Sequence, residues 1–116
     1  MNVVAGVLVG LVAVLHLYFL VLEMFLWTTP TGRRVFGLDA DFAERSKALA
    51  ANQGLYNGFL AAGLVWGLVS GETDVRVFFL GCVIVAGVYG AATVNRRILL
   101  VQALPAALAL VAVALS

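Results

Sequence analysis

Residues 3–27 read VVAGVLVGLVAVLHLYFLVLEMFLW, and the reading of this stretch decides the fold. It contains no Lys, Arg or Asp, and only His16 and Glu23 interrupt its apolar character with acid–base groups. A helix needs about 20 mainly apolar residues to cross about 30 Å of hydrocarbon. Three further runs reach that length, about 48–69, 75–94 and 98–115. The last two are separated only by Asn95, Arg96 and Arg97, so they form a tight hairpin. Open strands cannot cross a bilayer, and the alternating short runs of a barrel are missing. The expected fold is all-α: one polytopic membrane domain over residues 1–116, a four-transmembrane-helix bundle with a loop at 28–47.

Composition agrees. The chain has 116 residues, 64% of them hydrophobic and 11% charged, with mean hydropathy +1.10. Soluble domains are about 45–50% apolar and about 25% charged. A domain this small buries only about 60–70% of its unfolded surface, so lipid must solvate much of the rest. This argues against a soluble enzyme, a nucleic-acid binder and a disordered tail. The net charge of +1 gives no field that would steer a polyanion. The single cysteine, Cys82, can form neither an internal disulfide nor a thiolate metal cluster, and reads as a small buried hydrophobe. The N-terminal run has no basic flank and no small-residue cleavage pattern, so it reads as a retained span. No lipidation motif, Walker loop, nucleophile elbow, paired-His metal motif or dinucleotide fingerprint is present. The glycines of 81–87 read as helix packing rather than a phosphate loop. The sequence names no reaction and no cofactor, and offers no metal site.

The basic residues are one-sided. With four spans, the 28–47 loop and the 95–97 turn share a face that holds Arg33, Arg34, Arg45, Lys47, Arg96 and Arg97. The other face holds Arg76 beside Glu72 and Asp74. The positive-inside rule then places both basic loops in the cytoplasm and both termini outside, in a bacterial inner membrane. Topology also accounts for the echo between Arg33-Arg34 and Arg96-Arg97. Asp39 is an expected N-cap, with Asp41 and Glu44 following it, and one helix is expected from about 40 to 69. Asp41 and Arg45 are spaced i, i+4 and can pair.

Ionisable residues inside a span are costly and point to function. His16 and Glu23 are seven residues apart, so they share a helix face about 10 Å apart along the axis, and Trp27 extends that stripe. On the second span Asn52, Gln53, Tyr56 and Asn57 form a polar arc beside Gly54 and Gly58, whose spacing permits close helix approach. Tyr89, Thr93 and Arg96 align on the third span. Gln102 and then Pro105 follow on the fourth, where the proline frees the carbonyl of Val101. Most of these polar groups lie near the cytoplasmic ends of their helices. The expected site is a polar pocket open to the cytoplasm with His16 towards its floor. Glu23 and His16 are its acid–base candidates, and Trp27, Asn52, Gln53, Tyr56, Asn57, Tyr89, Thr93, Arg96 and Gln102 its ligand-binding candidates. Each also has a structural alternative as an interhelical hydrogen bond or, for the arginines, a topology signal.

Three functions fit. The first is binding or conversion of a small lipophilic molecule whose polar end enters this pocket. The second is a small oligomeric transporter or channel using Glu23 and His16 as a proton or cation relay, although the outer half lacks polar lining. The third is a structural accessory subunit packed through its glycine faces. Haem is a minor variant, because a lone His16 supplies one axial ligand per protomer.

The segments His16–Trp27 and Asn52–Ala61 carry a resemblance that covers nearly the whole chain. It resembles the small bacterial four-helix membrane proteins catalogued as a domain of unknown function, which implies the fold and the length but no activity. From Arg45 through Asn52 to Asn57 it is also similar, more weakly, to the membrane-associated proteins of eicosanoid and glutathione metabolism. That likeness implies a homo-oligomer, a trimer before a dimer, and a lipophilic substrate. The His16 and Glu23 of the first helix depart from its pattern.

Overall fold

In the computed structural model, which describes residues 2–116, every regular element is helical. The apolar run from Val3 forms α1, Val3–Met24. It stops three residues before the expected Trp27. Its last turn widens, with the N–H groups of Phe25 and Leu26 both donating to Val21 O at 3.0 and 3.2 Å. The cause lies just downstream. Thr29 Oγ1 donates to Leu26 O at 2.6 Å and accepts from Gly32 N at 3.2 Å. With Pro30 supplying the preset φ of a first helical residue, this cap starts a second helix, α2, Pro30–Phe36. The sequence reading took this segment as loop. Seven residues with little apolar periodicity give no signal beyond Thr-Pro and the closing Gly37, which takes the left-handed conformation at φ 67°.

The next helix, α3, Ala40–Ser70, is the expected single long one. Asp39 Oδ1 accepts from Phe42 N at 2.7 Å, as an N-cap should. Its 31 residues extend about 46 Å at 1.5 Å per residue. Then come α4, Thr73–Thr93, a π-helical turn, Leu99–Ala103, and α5, Leu104–Ala114. A plain helix was expected over 98–115. Pro105 cannot donate to Val101 O, and the adjoining turn widens instead, with Leu104 N–H reaching back to Leu99 O.

Among the described residues two helices, α1 and α4, are long and apolar enough to cross a membrane. The segment Leu99–Ala114 is apolar but shorter. The polar groups of α3, including Asn52, Gln53 and Asn57, dilute its apolar part.

The chain divides into two compact units. The first joins the residues up to Val14 with Leu60–Ser116, and the second is Leu15–Phe59. The first unit has a core drawn from four helical segments: Ala5, Val9, Val12 and Ala13, then Leu64, then Leu80 and Val83, then Ala106, Ala109 and Val113. The α1 set has the 4, 3, 1 spacing of one helix face. Arg76, expected on the outer face beside Glu72 and Asp74, is 3% exposed within α4. Its Nε donates to Gly67 O at 2.8 Å, satisfying a carbonyl in the last turn of α3 where a cation also suits the helix dipole. The second unit has a smaller interior of Leu22, Ala43 and Ala50 with two buried polar residues, His16 and Asn57.

Candidate functional site

The candidate site belongs to the second unit. On α3 the buried positions Ala43, Ala50, Gly54 and Asn57 follow steps of 7, 4 and 3, a single face. Small residues along it let α1 approach. A Cβ added to Gly54 would lie 2.6 Å from Met24 Cγ and 3.2 Å from Glu23 Cβ. One added to Gly58 would lie 2.8 Å from Leu20 Cδ1. The expected close approach at Gly54 and Gly58 is therefore present. It brings Asn57, 5% exposed, against Glu23, and Asn57 Nδ2 donates to Glu23 Oε1.

One carboxylate oxygen of Glu23 takes this hydrogen bond, and Glu23 also lines a cleft of about 300 Å³. Met24, Phe25, Trp27, Thr28, Lys47, Ala48 and Ala51 complete the lining. The cleft therefore combines a carboxylate, an ammonium group and aromatic and aliphatic walls. His16 is completely buried and meets the Phe19 ring edge-on at 5.4 Å between centroids.

Trp27 reaches the cleft by a different route from the one expected. It lies beyond the end of α1, so it does not extend that helix's stripe. Trp27 Nε1 donates to Ser46 Oγ at 3.0 Å, and its ring lies 4.9 Å from that of Phe36. Ser46 Oγ in turn donates to Phe42 O at 2.7 Å. Sequence reasoning missed Ser46 and Lys47 because the Trp27–Ser46 contact joins residues 19 apart. Nothing in local spacing signals it.

The rest of the polar arc does not converge. Asn52 and Gln53 are exposed, and Tyr56 is exposed with its ring 5.9 Å from that of Phe59. Asn52 and Tyr56 stand roughly 140° and 100° round the helix from Asn57 at 100° per residue, so one face cannot bury all three. The remaining candidates belong to the first unit. Tyr89 is 71% exposed and borders an open groove of about 730 Å³ on the outer face of α4, with Phe78, Gly81, Cys82 and Val85. Thr93 is exposed, its Oγ1 donating to Tyr89 O at 2.7 Å. Arg96 lies past the end of α4 and is exposed, so it does not share a helical stripe with them. Gln102 is half-buried in the π-helical turn. Among the described residues no three His, Cys, Asp or Glu side chains could together hold a metal ion.

Comparison with known proteins agrees with the resemblance carried by His16–Trp27 and Asn52–Ala61. Residues 10–114 match the family described as protein of unknown function, DUF1304. An uncharacterized protein of Lactococcus lactis, YpaA, is 34% identical over 115 residues, which cover 96% of this chain and 97% of the relative. No solved structure matches the chain significantly. The chain belongs to the DUF1304 family.

Proposed function

We propose that this DUF1304 protein is an integral protein of the bacterial inner membrane that binds, and has the groups to convert, a small lipophilic molecule. The polar end of that molecule enters the cleft beside Glu23. The chain crosses the membrane four times, with the termini outside and the α2 segment and the 95–97 turn in the cytoplasm. The apolar runs and the six one-sided basic residues support this arrangement.

The observation that carries the binding reading is the Asn57–Glu23 hydrogen bond at the edge of the cleft. A carboxylate near a bilayer costs stability that a glutamine would not. Here it borders open volume in a lining that also holds Lys47 and apolar groups. That arrangement suits an amphiphile whose head offers a hydrogen-bond donor to Glu23 while its chain lies along Phe25 and Ala51. Glu23 is also the group at the cleft able to exchange a proton with a bound head.

The protein purified in mild detergent is extracted and its retained lipophiles are identified by mass spectrometry. The wild type is expected to carry one small lipophile. Glu23→Gln, which keeps an acceptor for Asn57, is expected to lose most of it while remaining folded. Equal retention by both proteins, or none in the wild type grown in rich medium, would overturn the binding reading. Orientation is tested separately in a Cys82→Ser background with an impermeant thiol label on spheroplasts. Thr73→Cys should label and Thr31→Cys should not.

A further inference from the structure

We propose that α2 is a fixed docking surface for the phosphate headgroup of an anionic phospholipid, with Arg33 and Arg34 as its ligands. The inference rests on the reading that α1 lies in a bilayer, and is independent of the lipophile cleft.

The first observation is that α2 is held rigidly. Gly32 is its buried residue, and a Cβ there would overlap the carbonyl oxygen of Leu26. The helix thus rests backbone against backbone on the chain that leaves α1. The Thr29 cap fixes one end, and the Leu38 N–H bond to Arg33 O at 2.9 Å fixes the other. The Trp27–Phe36 ring contact adds a side-chain anchor. With Gly32 facing inwards, Arg33 lies about 100° and Arg34 about 200° round the helix, so Arg34 points away from the protein. Arg34 is exposed and Arg33 half-buried.

The second observation is uncompensated charge. Residues 24–38 contain two arginines and no acid. The neighbouring cations are engaged: Arg45 pairs with Asp41 at 2.9 Å, and Lys47 pairs with Glu44. Among the described residues neither Arg33 nor Arg34 has an ion pair. Arg33 Nε is buried without a hydrogen-bond partner. A guanidinium with a free, shielded N–H suits a phosphate oxygen, to which arginine offers paired donors.

The third observation concerns the surroundings. On α2 itself Val35 is 48% exposed and Phe36 37% exposed. Aromatic and aliphatic groups beside arginines match the boundary between headgroups and acyl chains, where a free phosphate would find no use for them. Charge complementarity and this apolar flank together select an anionic lipid over soluble phosphate.

Detergent-purified protein is titrated with phosphatidylglycerol or phosphatidylcholine and followed by native mass spectrometry, a readout that does not depend on membrane orientation. Wild type should bind phosphatidylglycerol preferentially, and Arg33→Gln/Arg34→Gln should weaken that preference by about tenfold or more, given the attraction of each basic group to an anionic surface. Arg33→Lys/Arg34→Lys keeps the charge but not the paired donors, so its preference should fall between those of the wild type and the glutamine variant, which separates headgroup binding from misfolding. Arg96→Gln/Arg97→Gln should leave the preference unchanged. No preference in the wild type, an undiminished preference in the glutamine variant, or full competition by about 10 mM inorganic phosphate at a constant ionic strength of about 0.15 M overturns the proposal. Carbonate extraction of cell membranes tests the underlying reading: a protein released with the soluble fraction sinks both, whereas one retained but indifferent to lipid charge sinks only this inference.

Discussion

Arg76 in the first unit and Asn57 in the second are both buried polar residues, and they are used in opposite ways. Arg76 donates to a backbone carbonyl, Gly67 O, nine residues away, and so closes a helix end. Asn57 donates to a side chain 34 residues away, Glu23, which still borders a cleft. The first unit's packed interior is Leu64, Leu80, Val83 and their neighbours, which need no polar partner. The second unit's buried residues are instead Leu22, His16, Asn57 and small residues. The difference separates a polar group that closes a helix end from one that holds a carboxyl group at a cleft. The first unit should carry most of the stability, and under the proposed binding reading the second should hold the lipophile.

The sharpest way to break that comparison is Leu80→Ala. Leu80 is completely buried in the first unit's core, and deleting such a side chain costs about 2–5 kcal/mol. Thermal unfolding in detergent should show this loss, while lipophile retention below the transition should be unchanged. A cost under about 1 kcal/mol would remove the first unit's claim to be the stable one. Arg76→Leu comes next. It strips Gly67 O of its donor, and a buried unsatisfied acceptor costs about 1–3 kcal/mol. Gly87→Ala should fall in a similar range of about 1–3 kcal/mol for overpacking. Its Cβ would lie 2.7 Å from Ala103 N, a backbone atom that cannot rotate away. Both variants should unfold at lower temperature and keep the Glu23 cleft intact.

Much of this was legible in the sequence, and the exceptions have physical causes. Long apolar runs with few charges dictate helices, so α1, α3 and α4 follow from periodicity and hydropathy alone. The Asp39 cap and the Asp41–Arg45 pair follow from local spacing, since both act within one turn. The Gly54–Gly58 spacing correctly marked a close helix approach, and Glu23 and Asn57 were both among the candidates. The failures depend on contacts distant in sequence. Arg76 reads from sequence only as an outer-face charge, because its capping role requires the end of α3 to turn back beside it. Trp27 was placed on a helix that the Thr29 cap terminates early. Asn52 and Tyr56 were grouped with Asn57 because polar residues in one apolar run suggest a common face, yet the burial of Ala50 and Gly54 selects Asn57 and turns those two outwards.

The smallest effects sharpen the comparison within the second unit itself. Two side-chain pairs there can be measured by double-mutant cycles, Glu23 with Asn57 and Asp41 with Arg45. Hydrogen bonds between helices in a membrane setting average about 0.6 kcal/mol and reach about 1.7 kcal/mol, because the separated helices find other partners. The Glu23–Asn57 coupling should fall in that range. The Asp41–Arg45 pair is 2.9 Å long but its side chains are 80% and 69% exposed. Water and salt screen it, so its coupling should be about 0.3–0.5 kcal/mol and shrink further in high salt. The two cycles therefore differ little in stability and should differ sharply in consequence. Breaking Glu23–Asn57 should release the bound lipophile, while breaking Asp41–Arg45 should leave retention as it was. Equal losses of retention in the two cycles would mean that the second unit responds to any weakening of α3, and that Glu23 is not specially placed.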